Sequence, residues 1–404
     1  MIHRYDVIVV GGGMVGLATA AAIGRAGRRV AVLDSGAAPA PFDPDRPLQA
    51  RVVALNRASE ALLTRLHAWP RIQQWRCTPY SHMRVWDAGG RGEIHFSATE
   101  LGQPNLGHIV ENDVVQRALW EAVQERDNVD WLGEAPLQRF AVDAREAIVT
   151  LDDGRVLTAP LLVGADGARS RVREAAGIAV RERDYGQRAI VAVVRTERHH
   201  DFTAWQRFLP HGVLAFLPLP EGHSAIVWSL RAALAEDMLA LDDEAFRAAL
   251  TDAAEARLGE VLWAGPRQSF PLVGRQARQY VKPRIALVGD AAHTIHPLAG
   301  QGVNLGFLDA AQLAEVVGAA RRDLGSLAVL RRYERARAAD NGLMLRLMEA
   351  FQAVFVNDLP PLAWLRNAGL SVADRLPPLK RLLMAVALGT ADPALPELAR
   401  PAGP

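Results

Sequence analysis

Residues 288–306 read VGDAAHTIHPLAGQGVNLG, and the rest of the chain is organised around this stretch. It follows the apolar run 285–288, which predicts a buried strand, and it leads into a long helical pattern. Gly300 and Gly302 lack a Cβ, so the backbone can touch a flat ligand, and Asp290 can hold the hydroxyl groups of a polar chain. The free N–H groups and positive dipole end of the helix favour negative charge there. The stretch predicts a site for a flat ring bearing a polar chain; the alternative is an ordinary strand–loop–helix crossover with glycines for turning.

A dinucleotide-binding pattern lies at the N-terminus. The β-branched run Val7–Val10 predicts a central parallel strand, and Gly11, Gly13 and Gly16 follow it with G-x-G-x-x-G spacing before an alanine-rich helix. The first glycine makes the tight turn, the second admits a pyrophosphate, and the third lets helix and strand pack closely. The next strand ends in Asp34, where an acid accepts hydrogen bonds from an adenosine ribose.

Other polar residues follow predicted strands or begin helices, and each has two interpretations. Asp166, within the segment 164–170 after a buried strand, either holds a loop against a pyrophosphate or caps the next helix. Arg51 precedes an apolar run and is either a contact to the ligand or a surface arginine. Gln116 and Arg117 lie in the first turn of a helix and face either the phosphates or solvent.

The chain changes character between residues 185 and 275, where short strands alternate with turn signals. This pattern predicts an antiparallel sheet inserted into the nucleotide-binding domain, and its aromatic residues predict either an apolar wall for a substrate or plain core. Those residues are Trp205, Phe208, Phe216, Trp228 and Phe270. We therefore expect a cofactor-binding domain in two parts, residues 1–180 and 276–340, with 70–110 contributing to the substrate side, a substrate domain at 181–275, and a C-terminal helical segment at 341–404.

Composition excludes several classes of protein. The chain has 404 residues and a net charge of +1, which gives no electrostatic case for a nucleic-acid binder. The single cysteine, Cys77, excludes an internal disulfide and a multi-cysteine metal site, and it suits a reducing cytoplasm. No apolar run approaches the ~20 residues that span a bilayer. In the tail, Lys380 and Arg381 adjoin a leucine-rich helix, which indicates either packing on the domain or contact with a membrane surface.

The glycine loop with its acid, the segment 164–167 and the stretch 289–306 together resemble the class A flavoprotein aromatic hydroxylases, which have the para-hydroxybenzoate hydroxylase fold. More narrowly, the last stretch and the tail segments 333–335, 357–361 and 376–380 look like the ubiquinone-biosynthesis ring hydroxylases. The resemblance covers nearly the whole chain. It implies an α/β fold: a Rossmann-like FAD-binding domain with an inserted antiparallel β-sheet substrate domain and a C-terminal helical segment.

The resemblance also implies roles for individual residues. Those expected to bind FAD are Gly11, Gly13, Gly16, Asp34, Arg51, Arg117, Asp166, Gly289, Asp290, Gly302, Val303 and Asn304. Those expected at the reactive face of the flavin are Pro297, Gly300, Gln301 and Gly302, with Arg51 at the mobile edge of the ring. No metal is expected, because His293 and His296 have no third ligand nearby in the sequence.

The implied activity is hydroxylation of a polyprenylated phenol by FAD, NAD(P)H and O2 through a C4a-hydroperoxyflavin. The implied setting is a bacterial-type cytoplasm, peripheral to the inner membrane, with a possible ubiquinone-biosynthesis complex as partner. The base that activates the phenol is not evident, and His211 and His223 are candidates. Two alternatives stay open, a non-catalytic flavoprotein scaffold of the same complex and a class A hydroxylase for another aromatic substrate. A flavin halogenase is disfavoured because its Trp-x-Trp-x-x-Ile-Pro segment is absent.

Overall fold

The computed structural model describes residues 2–88, 92–210, 212–295 and 301–355, with side chains described up to residue 346 in the last range. In the tail it describes residues 380, 384–385, 388–389 and 394–401.

Twenty-two strands are described. In chain order they are β1 (Ile2–Arg4), β2 (Val7–Val10), β3 (Val30–Leu33), β4 (Val52–Leu55), β5 (Thr78–Tyr80), β6 (His82–Asp87), β7 (Glu93–Ser97), β8 (Gly107–Glu111), β9 (Val129–Leu132), β10 (Leu137–Val142), β11 (Ala147–Leu151), β12 (Val156–Ala159), β13 (Leu161–Gly164), β14 (Val180–Thr196), β15 (Thr203–Leu209), β16 (Gly212–Pro218), β17 (His223–Arg231), β18 (Val261–Ala264), β19 (Gln268–Ala277), β20 (Val281–Lys282), β21 (Ile285–Leu287) and β22 (His293–Thr294).

The helices connect and cover these strands. The α-helices are α1 (Met14–Arg25), α2 (Arg57–Arg65), α3 (Trp69–Trp75), α4 (Asn112–Gln124), α5 (Arg171–Ala175), α6 (Ala232–Ala240), α7 (Asp243–Ala253), α8 (Gly302–Gly318) and α9 (Leu327–Phe355). Short 3-10 turns lie at Ala98–Leu101, Pro220–Gly222, Gly289–Ala291 and Glu397–Ala399.

The central sheet is the nucleotide-binding one. Its strand order is β20-β21-β13-β2-β3-β9, and every neighbouring pair is parallel except β20 with β21. Strands β2, β3 and β13 are buried along their whole length, which is why their sequences are continuous apolar runs rather than alternating ones. Helices α1 and α8 pack against each other beside this sheet. The predicted α/β fold with a Rossmann-like domain is confirmed.

The second large sheet has the order β22-β19-β14-β17-β16-β15-β6-β7, with β18 added to β14. It is antiparallel except where β15 pairs in parallel with β6, so the hairpin β6–β7 extends the inserted strands with residues from much earlier in the chain. Helices α6 and α7 cover one face, where Phe246 and Leu250 are fully buried. The other face is turned toward β4, with which it shares an apolar cluster.

Two smaller sheets complete the architecture, with strand orders β1-β12-β11-β10 and β4-β8-β5. The sequence predicts a single buried strand over 156–163, but the structure divides it at Pro160 into β12 and β13, which belong to different sheets. Proline has no N–H to donate and restricts the preceding residue, so a strand is readily interrupted there.

The C-terminal segment returns to the body of the protein. Met384 and Leu388 are buried in a cluster with Ala98 and Leu106, and the Nζ of Lys380 donates a hydrogen bond to Glu100 Oε1 at 3.0 Å. The interpretation of Lys380 as a membrane-facing cation is therefore wrong, because this side chain is buried and ion-paired.

Residues 356–379 and Arg381, which belong to the predicted C-terminal helical segment 341–404, lie outside the described residues. Across the part of the chain that the structure describes, no helix combines the length and apolarity that a bilayer crossing requires.

Candidate functional site

The predicted ligand-binding segments follow four neighbouring strands. Within the central sheet, β21, β13, β2 and β3 are consecutive, and their carboxyl ends lead into Asp290, Asp166, the glycine loop at 11–16 and Asp34. The carboxyl ends of parallel strands meet at one edge of a sheet, which is where open α/β sheets bind ligands. Segments up to 280 residues apart in sequence therefore converge on one crevice.

The three glycines of the first loop have different surroundings. Gly11 has a φ of +109°, and a Cβ there would lie 2.3 Å from the carbonyl oxygen of Ala165. A Cβ on Gly16 would lie 1.9 Å from the oxygen of Gly11, so this glycine lets α1 approach the loop. Gly13 differs, since no described atom lies within 4 Å of a Cβ placed there. The fold itself requires Gly11 and Gly16, whereas the space beside Gly13 is open toward the crevice.

Asp34 and Asp166 border a cavity of about 460 Å³ at this edge. The two oxygens of Asp34 accept hydrogen bonds from the amides of Gly12 at 2.5 Å and Gly36 at 2.7 Å. Asp166 Oδ2 accepts from the amide of Val172 at 3.1 Å, so it does cap α5. Its Oδ1 is buried and has no hydrogen-bond partner among the described residues. The capping interpretation of Asp166 is therefore confirmed, and one of its acceptors is left unused beside the cavity.

The turn after β21 packs tightly against α1 and α8. Gly289 has a φ of +57°, and a Cβ on Gly306 would lie 2.6 Å from Val15 Cγ2 and 3.3 Å from the Cα of Gly289. This close approach places the N-terminus of α8 beside the glycine loop. The first hydrogen bond of α8 runs from Leu305 N to Gln301 O, and the Gln301 side chain does not cap the helix. The amides of residues 302–304 thus precede the helical ladder, as at other anion-binding helix ends.

Asp290 is the middle residue of this turn and is solvent-exposed on one side, although protein atoms surround the rest of it closely. That enclosure raises the pKa of its carboxyl, while the charges of His293, Arg275 and Arg51 oppose the rise. Arg51 is exposed on the same side of the crevice, with its guanidinium 6.0 Å from the centre of the Phe270 ring.

Apolar side chains of the inserted sheet and of β4 form a cluster between them, and we call the half-buried surface of this cluster the apolar chamber. The half-buried side chains of this chamber are Leu48, Val52, Ala54, Tyr80, Leu217, Val227 and Phe270. Burial and the charge of Glu60 raise the pKa of Tyr80, so its hydroxyl is a proton donor rather than a base. Phe270 belongs to this cluster, and the centre of its ring lies 6.0 Å from the Arg51 guanidinium, so the cluster adjoins the side of the crevice where Arg51 lies.

Some predicted residues make other contacts than expected. Asn304 is buried, and its side chain is used by α2 and β4: Oδ1 accepts from the Ser59 hydroxyl at 2.7 Å and Nδ2 donates to Ala54 O at 2.9 Å. Arg117 bonds to Glu121 and to the carbonyl of Pro39. A ligand contact by Asn304 would have to come from its backbone.

The structure also bears on the aromatic residues of the inserted sheet and on the candidate histidines. Phe216 and Trp228 lie in the core beneath α6 and α7, so for these two the plain-core alternative is correct and the substrate-wall alternative is not. Phe270 alone of the five aromatics joins the chamber cluster. His223 borders a second cavity of about 1020 Å³ between the loop 42–50 and the inserted sheet. Pro297, Gly300, His296 and His211 lie outside the described residues.

The described residues favour neither nucleophilic catalysis by the cysteine nor metal binding. Cys77 borders the second cavity, and burial raises the pKa of its thiol to about 11, so it remains protonated near neutral pH and is a poor nucleophile. Within the described ranges, no three His, Cys, Asp or Glu side chains are grouped so as to hold a metal ion.

Sequence reasoning missed further residues at this site. Arg169 and Arg171 line the first cavity. Gln116, by contrast, was expected to face either the phosphates or solvent, and its Nε2 donates to the carbonyl of Gly12 at 2.8 Å. Arginines just after the segment 164–167 could have been recognised as phosphate partners from their position. A buried carboxylate behind the Gly289 turn, Asp309, was also missed, because nothing in the sequence distinguishes it from other residues of α8.

Comparisons with known proteins agree on one family. A family model described as the FAD binding domain matches residues 4–346. The chain is 41% identical to 3-demethoxyubiquinol 3-hydroxylase from Escherichia coli (strain K12), over 95% of this chain and 98% of that protein. It is 40% identical to ubiquinone hydroxylase UbiL from Rhodospirillum rubrum, over 95% of this chain and 90% of that protein. The crystal structure of p-nitrophenol 4-monooxygenase PnpA from Pseudomonas putida DLL-E4 superposes with a TM-score of 0.79 at 21% identity, covering 97% of this chain and all of that one.

The crevice suits FAD on three counts. The open space beside Gly13 is where a Cβ would obstruct a pyrophosphate, and the unused Oδ1 of Asp166 is an acceptor for a ligand donor. The amides of the first turn of α8 would face negative charge on a reduced ring. The strand ends that carry Asp34, Asp166 and Asp290 therefore offer suitable groups to a dinucleotide along one edge of the sheet.

Proposed function

The chain belongs to the FAD-binding domain family and is an FAD-dependent monooxygenase, and we propose that its substrate is a polyprenylated phenol of ubiquinone biosynthesis. Its relatives confirm the resemblance read from the motifs. The single observation that carries the proposal is the convergence of the ends of β21, β13, β2 and β3 on one crevice beside an apolar chamber.

We assign the residues of the crevice as follows. Asp34 and the glycine loop would hold the adenosine and pyrophosphate, Asp290 the hydroxylated chain, and the start of α8 the ring. FAD, when bound, supplies the redox chemistry that joins reduced NAD(P)H and O2 to hydroxylation. The protein itself would contribute orientation, through Asp290 and the α8 amides, and a shielded space for the substrate ring.

The apolar chamber is the proposed place of the substrate ring. Val227, Leu217 and Phe270 offer no hydrogen-bonding side chains, so they would exclude water from the reacting carbon. Tyr80 would donate a hydrogen bond rather than remove a proton. The described part of the chamber thus supplies apolar walls and one hydroxyl, and His223 is set apart on the second cavity.

The setting is a further part of this proposal. A phenol with a long isoprenoid chain partitions into a bilayer, so we expect the enzyme to work at a membrane surface, in contact with other biosynthetic proteins. Support comes only from the leucine-rich composition of the tail, since Lys380 is paired with Glu100. Co-sedimentation with anionic vesicles tests this directly, and binding that is unchanged after truncation at residue 359 would refute a role for the tail.

The activity is tested with purified protein carrying its yellow cofactor. NAD(P)H oxidation and product mass are followed with short-chain prenyl phenols, one candidate ring position at a time, under ¹⁸O2. The expected result is a hydroxylated product that contains one ¹⁸O atom and forms in step with NAD(P)H oxidation. The blocked step that the gene restores in hydroxylation-deficient strains identifies the ring position.

Other outcomes separate the alternatives. NAD(P)H oxidation without a hydroxylated product, even with partner proteins and lipid substrate present, would favour a scaffold flavoprotein. Hydroxylation of simple phenols, together with no hydroxylation of prenylated phenols, would favour a class A hydroxylase of another pathway. Either result would overturn the proposed substrate while leaving the FAD site intact.

A further inference from the structure

One carboxylate behind the cofactor crevice accepts four hydrogen bonds. Asp309, on α8, is fully buried. Its Oδ2 accepts from the amide of Gly289 at 3.0 Å and is 2.6 Å from Nε2 of His293. Its Oδ1 accepts from Nε of Arg337 and from Nδ2 of Asn341, both at 3.0 Å. The four donors come from two parts of the chain, the turn after β21 and helix α9.

The first pair of donors belongs to the turn that presents Asp290. Gly289 immediately precedes Asp290, and His293 begins β22 just beyond it. The second pair belongs to α9, where Arg337 also bonds to Asn341 at 2.7 Å and to Asp340 at 3.1 Å. The ring of His293 stacks on Tyr280 at 5.8 Å, which fixes its orientation. The turn is thus tied to α9 through one charged group.

The geometry points to Asp309 as a positioning residue for FAD: it fixes the amide of Gly289, and through it the carboxylate of Asp290 that would hold the cofactor. This inference rests on FAD binding alone and holds whichever phenol is hydroxylated. A buried charge bonded to four donors holds its partners more firmly than a neutral acceptor, because charge-assisted hydrogen bonds are the stronger ones.

Replacement by asparagine separates the two sides of Asp309. Each side faces two donors, but an amide can accept on one side only. The amide oxygen of an Asp309→Asn protein would turn toward the cation of Arg337, so the NH2 group would face Gly289 and His293. His293 can exchange tautomers to accept, whereas the amide of Gly289 cannot, and it would be left unsatisfied.

Two variants serve as controls. Arg337→Gln alters the α9 side of the network but leaves Asp309 free to accept from Gly289. Asp323→Asn removes the carboxylate that pairs with the buried Arg284, in the same domain, and does not involve the Gly289 turn. Both are expected to lower the unfolding temperature without changing how FAD is held.

The test measures FAD binding and stability separately. FAD affinity is obtained by titrating the apoprotein, its geometry from the visible circular dichroism of the flavin, and stability from far-UV circular dichroism. Asp309→Asn is expected to weaken FAD binding about tenfold or more and to change the visible spectrum, as loss of a buried charge-assisted bond implies. The controls are expected to keep FAD affinity within about twofold and the wild-type spectrum.

Two results would overturn the inference. One is a loss of FAD affinity in Asp309→Asn that is no larger than its loss of stability predicts, when both controls show the same relation between stability and FAD affinity. The other applies even if that variant does not fold: in the wild-type apoprotein, hydrogen exchange at the Gly289 amide must be slow, because Asp309 holds it without FAD. Exchange there at the rate of an open loop would exclude a preformed turn.

Discussion

The carboxylate of Asp34 accepts a hydrogen bond from the amide of Gly12, 2.5 Å away, and so fixes the loop whose neighbouring glycines line the cavity. The other oxygen accepts from Gly36. Asp34 is therefore both a support of the loop and a candidate ribose ligand. Asp34→Asn is expected to weaken FAD binding about tenfold, because an amide can accept from only one of the two N–H groups. Fluorescence titration of the apoprotein with FAD measures this, and an affinity equal to wild type would contradict both roles.

The glycine loop gives a second prediction, from the contrast between Gly13 and Gly11. Gly13→Ala is expected to leave the unfolding temperature of the apoprotein within about 2 °C of wild type and to reduce FAD affinity at least about tenfold, because its φ is −72° and the added methyl would occupy only ligand space. Gly11→Ala is expected to disrupt folding, because the methyl would meet the Ala165 carbonyl and the backbone has a positive φ. Unfolding and titration curves on both variants separate the two effects, and a folded Gly13→Ala protein with unchanged FAD affinity would contradict a pyrophosphate at this loop.

The sequence predicts such local features well and distant partnerships poorly. The glycine spacing and the strand ends are short-range signals, so the crevice was predicted from them. His293 and Arg337, by contrast, meet Asp309 across 16 and 28 residues. Their pairing depends on how α8 and α9 pack, which no local pattern specifies.

The same reason explains the errors. Lys380 reads as a surface cation in its own segment, and only the fold brings it to Glu100, 280 residues earlier. Trp228 and Phe216 belong to strands whose two faces are both apolar, so the alternation that would assign a face is absent. Asn304 lies in the first turn of α8, where a ligand-binding residue would be expected, yet its side chain bonds to α2 and β4.

The apolar chamber gives a third prediction. Val227→Trp is expected to fill the chamber, reducing hydroxylation at least about tenfold while FAD content and its visible absorption stay unchanged, because overpacking there excludes the substrate ring. Val142→Trp, at an exposed position of β10, is the matched control and should keep full activity. Steady-state rates with a prenyl phenol check both, and full hydroxylation by Val227→Trp would place the ring elsewhere.

The pH dependence of stability provides a fourth prediction. Burial alone would raise the pKa of Asp309, but the charges and hydrogen bonds of His293, Arg337 and Asn341 lower it to about 2 from its ordinary 3.8. Because the folded pKa lies below the unfolded one, the stabilisation is present above pH 3.8 and is lost as the pH falls through 2. The difference is on the order of 2 kcal/mol.

Urea unfolding between pH 5 and 2 checks this value. The free energy of unfolding of wild-type protein should decline through this range more steeply than that of Asp309→Asn, which has no proton to take up at this position. Parallel acid limbs for the two proteins would show that Asp309 is not ionised by its neighbours in the folded state.

The strand order of the central sheet bears on how the protein is made. The ribosome delivers β2 within the first ten residues, but β13 beside it and β21 beyond β13 emerge only after residues 161 and 285, and α8 later still. The edge of the inserted sheet is likewise incomplete until β22, which begins at residue 293, has been synthesised. A nascent chain must therefore remain without its coenzyme until about three-quarters of it has been translated, and prematurely terminated products should be colourless and exposed to proteases.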